Sequence, residues 1–195
     1  MPFPPENPPH FFTPSTGDLL HHYAPPSGAI GIIRSGRLWL SDFARMNDAA
    51  EYRYARDAYL RSYQSRRVWI EQIPRYAATT SLVGLEHGTN MLIGCFCAEP
   101  DNGHLWQHYA EQGAGCVLSF DAEHMASQLG VKIRRVVYDP VTIDSFVQSG
   151  LLMLQDHFEA QPNDRTELLQ LAQSFVSDLC AFKAPQWSAE REIRV

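Results

Sequence analysis

Two acids one residue apart, Glu190 and Glu192, lie in the closing run K-A-P-Q-W-S-A-E-R-E-I-R at residues 183–194, and a His-Tyr pair, His22 and Tyr23, stands near the start. A carboxylate stabilises developing positive charge or moves a proton, and imidazole and phenol groups hold or relay one, so chemistry is expected first at these positions. On a strand Glu190 and Glu192 would share one face. The competing reading takes the alternating signs of Glu190, Arg191, Glu192 and Arg194 as a solvated edge strand that discourages aggregation, and His22 with Tyr23 as an ordinary half-buried pair.

Two other clusters invite chemistry. Cys95 and Cys97 are followed by His104 and His108, a C-x-C…H-x3-H run whose pairs would each share a face of a strand or a helix. Zinc cysteines are ordinarily spaced by two to four residues, and Cys97 sits in an apolar stretch that suits a buried thiol, so no metal is expected. Between residues 51 and 69, five arginines (Arg53, Arg56, Arg61, Arg66, Arg67) face two acids, with Tyr52, Tyr54, Tyr59 and Tyr63 among them. Arginine and tyrosine together hold phosphates and bases, which makes Arg53, Arg56 and Arg61 candidates for an anionic acceptor. The plainer alternative is an amphipathic helix with packed tyrosines and solvated arginines.

Common catalytic devices are missing. The chain has no G-x-G-x-x-G, no G-x-x-x-x-G-K-[ST], no G-x-S-x-G and no H-E-x-x-H. Its formal net charge of −6 argues against a general nucleic-acid binder.

The elements that must position these residues follow from apolar periodicity. Residues 1–16 hold six of the thirteen prolines and read as an extended arm with few core contacts, the arm ending near residue 18. One α+β domain is expected over residues 19–195. Strands are expected over residues 19–23, 37–41, 91–98, 115–121, 131–138 and 190–195. Helices are expected over 27–36, with Ser27 as cap and Gly36 as terminator, and over 48–67, 104–110, 122–129, 141–158 and 164–182, the last opened by Asp164 with Glu167. Strands scattered among helices without regular alternation favour α+β over a doubly wound sheet. The Pro-rich start has neither the basic opening nor the apolar run of a signal or transit peptide, so a cytoplasmic protein without membrane attachment is expected, its four cysteines thiols.

Six motifs stand in order: L-L-H-H-Y (19–23), G-I-I-R-S-G-R-L-W-L-S (31–41), M-N-D-A-A-E (46–51), C-F-C (95–97), L-W-Q-H-Y (105–109) and the closing run quoted above. Together they resemble a bacterial family of uncharacterised domains found among phage-defence proteins, over nearly everything from Leu19 onward. The chain departs from that pattern at Ala24, where a hydroxyl residue is usual, and at Cys97, where serine is usual. It also stops at Val195 where members commonly continue, so the terminal strand is expected to lack a neighbour.

A second resemblance is to the ADP-ribosyltransferase layout: a His-Tyr strand, a short helix ending in glycine, a strand ending in a hydroxyl residue and a late E-x-E strand. It implies a split sheet with flanking helices and NAD bound without a Gly-rich loop. It also implies the roles of individual residues. Glu192 would stabilise the oxocarbenium-like transition state of nicotinamide–ribose cleavage, and Glu190 would orient the acceptor. His22 would bond a ribose hydroxyl, Tyr23 or Trp39 would stack on nicotinamide, and Ser41 would supply the hydroxyl position. Asn47 and Tyr109 complete the candidate ligand set, against the plainer roles of helix cap for Asn47 and of core packing for Tyr109 with Trp106. The expected function is NAD-dependent ADP-ribosyl transfer, in bacterial defence or as a toxin. The alternatives are a non-catalytic nucleotide-sensing or interaction module, and a metal-assisted nuclease or hydrolase using His104, His108 and nearby acids.

Overall fold

The structure, a computed structural model, describes residues 11–43, 49–65 and 91–195. It is α+β, as the scatter of strands among helices implied, and it comprises two compact units.

One unit holds residues 42–91 and 137–185 and is helical in its described part. Its helices are α2 (Ala49–Ser65), α5 (Pro140–Ala160) and α6 (Arg165–Leu179). Asp139 caps α5 by accepting from the Thr142 amide, with Pro140 in the first turn, where its missing N–H costs nothing. Asp164 caps α6 through the Glu167 amide at 2.9 Å, as the Asp-x-x-Glu spacing implied. The core between the helices buries Leu151, Leu154, Leu168 and Leu179 almost completely, each stabilising by about 1.5–3 kcal/mol. Tyr59 is fully buried there, stacked on Tyr63 and tilted against Phe175.

The other unit holds residues 9–41, 92–136 and 186–195. Its strands are β1 (Leu19–Ala24), β4 (Cys95–Cys97), β5 (Cys116–Asp121), β6 (Arg134–Arg135) and β7 (Glu192–Arg194). They form one antiparallel sheet in the order β5-β1-β4-β7-β6. The terminal strand therefore has neighbours on both sides, against the expectation that it would lack one. Two-residue strands β2 (Ser41–Asp42) and β3 (Leu92–Ile93) make a separate small sheet. The continuous apolar run at 91–98 thus splits at Gly94, whose backbone exchanges two hydrogen bonds with Val195. A Cβ at Gly94 would lie 3.0 Å from the Leu40, Phe96 and Val195 side chains, so only glycine sits there without displacing them. The strand expected over 37–41 shrinks to β2, whose partner among the described residues, β3, is two residues long. The strand expected over 131–138 is reduced to β6 and a parallel bridge between Val137 and Phe182.

Helix α1 (Pro26–Ser35) begins without a side-chain cap. Pro25 occupies the cap position in place of the expected Ser27, and Pro26 presets the first helical φ. Gly36 ends it in the left-handed region, φ 62°, donating to the Ile32 carbonyl. Helices α3 (Gly103–Tyr109) and α4 (Ala122–Leu129) serve opposite faces of the sheet. Leu20, Phe96 and Ile193 meet Ala122 and Met125 of α4, whereas Tyr23 and Cys97 meet Leu105 of α3.

The described part of the N-terminal arm packs on this unit. Phe12 donates its amide to Ile133 and lies under the Arg135 guanidinium, and Thr16 donates to Glu123. Phe12, partly buried against the apolar cluster beneath α4, ties residues 11–16 to the unit where periodicity alone reads a loose arm. None of the described helices is long and apolar enough to cross a membrane.

Candidate functional site

Glu190 ends a short 3-10 turn, Pro185–Glu190, and β7 begins only at Glu192. Arg191 between them adopts φ 45°, a left-handed conformation uncommon outside glycine and asparagine. The two acids therefore do not alternate along one strand, as E-x-E spacing suggested; the backbone turns at Arg191 before the strand starts. Nor is this a solvated edge. Glu190 is 2% exposed and Glu192 5%. The Arg191 side chain leaves toward solvent and pairs with Glu99.

The two carboxylates have different surroundings. Glu192 accepts both forks of Arg194, Nε at 2.8 Å and Nη2 at 3.0 Å, in a buried bidentate pair. Residues i and i+2 of β7 share a sheet face, which makes the contact possible. Glu190 instead accepts the Tyr109 hydroxyl on Oε1 at 2.8 Å. Tyr109 itself is 44% exposed.

Helix α3 and the turn before β7 are joined by Asn102. Its Oδ1 accepts from the His104 and Leu105 amides and caps α3, while its Nδ2 donates to the Ala189 carbonyl at 2.9 Å. One buried side chain thus sets both the start of the helix that carries Tyr109 and the turn that carries Glu190. Asn102-Gly103 before an apolar helix marks a cap in the sequence, but its reach to Ala189 is tertiary.

The register decides which histidine accompanies Glu192. Across the sheet, Ser119, His21, Cys97 and Glu192 stand opposite one another on β5, β1, β4 and β7. His21 therefore shares the Glu192 face, and its Nδ1 lies 2.9 Å from Ser119 Oγ. Burial pushes the His21 imidazole below its ordinary range, favouring the neutral ring. His22, the expected ligand contact, points to the opposite face. Its ring rests on Phe96, and its Nδ1 donates to the Cys95 carbonyl at 2.9 Å, which fixes the tautomer. The structure does not bring His22 and Glu192 together.

Tyr23 is on the Glu192 face but committed to structure. Its hydroxyl donates to Glu99 O at 3.0 Å and accepts the Asn102 amide at 2.8 Å, and its ring meets Trp106 edge-on. Burial raises the phenol above its usual range. Burial likewise raises the Cys97 thiol, which accepts the Glu99 amide, so it rests as a buried thiol and not a thiolate. Trp39 is 79% exposed and Ser41 is exposed. Asn47 lies outside the described residues.

Residues 105–195 match the family model described as protein of unknown function, DUF2971. That is 91 of the 195 residues, somewhat under half the chain, counted from 105 through 195. No curated protein and no solved structure matches the chain significantly. The part similar to DUF2971 carries Tyr109, Glu190, Glu192 and Arg194, whereas Asn102 and the His-Tyr strand precede it.

On α2, in the helical unit, Arg56 pairs with Asp57 and Arg61 with Asp144, both at 3.0 Å, while Arg53 is exposed. Tyr54, Tyr59 and Tyr63 belong to or pack against that unit's core. Among the described residues no three His, Cys, Asp or Glu side chains are grouped to hold a metal, so the carboxylates required by the nuclease reading do not join His104 and His108 there.

Proposed function

We propose that this chain is an NAD-consuming enzyme of ADP-ribosyltransferase type, in which Glu190 is the carboxylate beside the ribose. The observation that carries the reading is the split character of the E-x-E: Glu192 forms a bidentate pair with Arg194, while Glu190 accepts a hydrogen bond from the hydroxyl of the partly exposed Tyr109. Cleaving the nicotinamide–ribose bond builds positive charge on the sugar, and a carboxylate held in a low-dielectric wall stabilises that charge without reorganising. Tyr109 orients Glu190, and the Glu192–Arg194 pair anchors the strand that follows it. An anionic acceptor and a role in bacterial defence belong to the same reading. So does a cytoplasmic setting, which suits four free thiols.

The test is nicotinamide release from NAD by the purified full chain. Release above a buffer control, reduced about 10²-fold or more by Glu190→Gln, is the expected result. No release, or unchanged release by Glu190→Gln, refutes the assignment. The second reading, a nucleotide-binding module without turnover, draws on the complete pairing of Glu192 with Arg194. It is favoured if NAD or ADP-ribose binds saturably by calorimetry and no nicotinamide appears.

A further inference from the structure

The two histidines of α3 are four residues apart and their ring centroids lie 4.3 Å apart at an interplanar angle of 43°. His108 is exposed, whereas the Nε2 atom of His104 is buried with no hydrogen-bond partner among the described residues. A buried imidazole nitrogen with no partner calls for an explanation, and a water or ion is the ordinary one. Residues i and i+4 share a helix face, so one ion can reach both rings. Two imidazoles holding one metal at about a right angle, with nitrogen–metal distances of about 2.0–2.1 Å, have centroids roughly 4.5 Å apart, and the rings of α3 already stand at that spacing.

We propose that His104 and His108 form an open two-histidine site for a borderline transition-metal dication such as Zn2+ or Ni2+. Imidazole suits these ions, and right-angled ligation favours Ni2+ in the test. With no third His, Cys, Asp or Glu grouped with the pair among the described residues, water or a bound ligand fills the remaining positions. Such a site is open, and its metal exchanges readily. His108, as the exposed member, moves to admit the ion. The pair stands without Cys95 and Cys97 as co-ligands, and the inference does not depend on the NAD reading.

The experiment titrates NiCl2 into the untagged full chain and follows tryptophan fluorescence, for which Trp106, on the same helix, is the near reporter. Saturable quenching at one equivalent is expected, with affinity weakened about tenfold or more in His104→Gln/His108→Gln. Should the double variant melt early, His108→Gln alone, at the exposed member, must show the loss. Wild-type protein without saturable quenching up to about 1 mM NiCl2, or variants that bind as tightly as wild type, overturn the proposal.

Discussion

Replacing Arg194 by methionine leaves the Glu192 carboxylate inside the sheet's polar face without its bidentate partner. Side-chain exposures of 1% for Arg194 and 6% for Glu192 put the pair in the regime where breaking one partner costs about 3–5 kcal/mol. At about 2–4 °C per kcal/mol for a chain of this size, the melting transition of the sheet unit should fall by roughly 6–20 °C. The double variant Glu192→Met/Arg194→Met removes both charges and retains apolar volume, so it should be more stable than Arg194→Met alone. Arg191→Gly is the contrasting control. It gives up an exposed ion pair worth about 0–1 kcal/mol and relieves a left-handed φ of 45°, so stability should stay within about 1 kcal/mol of wild type. Urea denaturation followed by far-UV circular dichroism reads all of these. A loss below about 1 kcal/mol in Arg194→Met, or a double variant as unstable as the sum of the singles, would refute the buried-pair argument. The same logic says that Glu192→Gln damages the fold as well as any activity, which is why Glu190→Gln is the cleaner probe of chemistry.

Three further outcomes are expected. Gly115→Ala puts a Cβ 2.5 Å from the Ala24 carbonyl oxygen and 2.7 Å from Ala110 Cα, both backbone, and should destabilise by about 1–3 kcal/mol in denaturant titration; a neutral result would mean the β1–α3 contact is looser than described. Because burial lowers the His21 pKa, the unfolded chain binds more protons below the ordinary value of 6.5, so stability should fall as pH drops through that value, and His21→Gln should flatten the slope between about pH 7 and 5. An equal slope in the variant would assign the acid sensitivity elsewhere. Phe12→Ala should cost about 1–2 kcal/mol through its lost contacts with Ile133 and Arg135, and a change under about 0.5 kcal/mol would return residues 11–16 to the status of a loose arm.

Much of the local architecture is legible from residue types, because the forces that set it act over a few positions. Gly36 ends α1, Asp164 starts α6, and the strands at 19–24 and 116–121 follow from short apolar runs bounded by turn formers. The two acids of the closing E-x-E were likewise visible as candidates from charge and spacing. What spacing assigned wrongly was the relation between its two acids, since a single residue, Arg191, leaves the extended region and ends the period-two argument. The choice between His21 and His22 lay beyond the sequence for a sharper reason. Adjacent residues on a strand point to opposite faces, so which one meets Glu192 depends on how β1, β4 and β7 align, and a slip of one residue exchanges them. Register is fixed by burial of Leu20, Phe96 and Ile193 on the other face, a property of three segments distant along the chain. The candidate side chains were therefore legible in the sequence, and their partners were decided where those segments met.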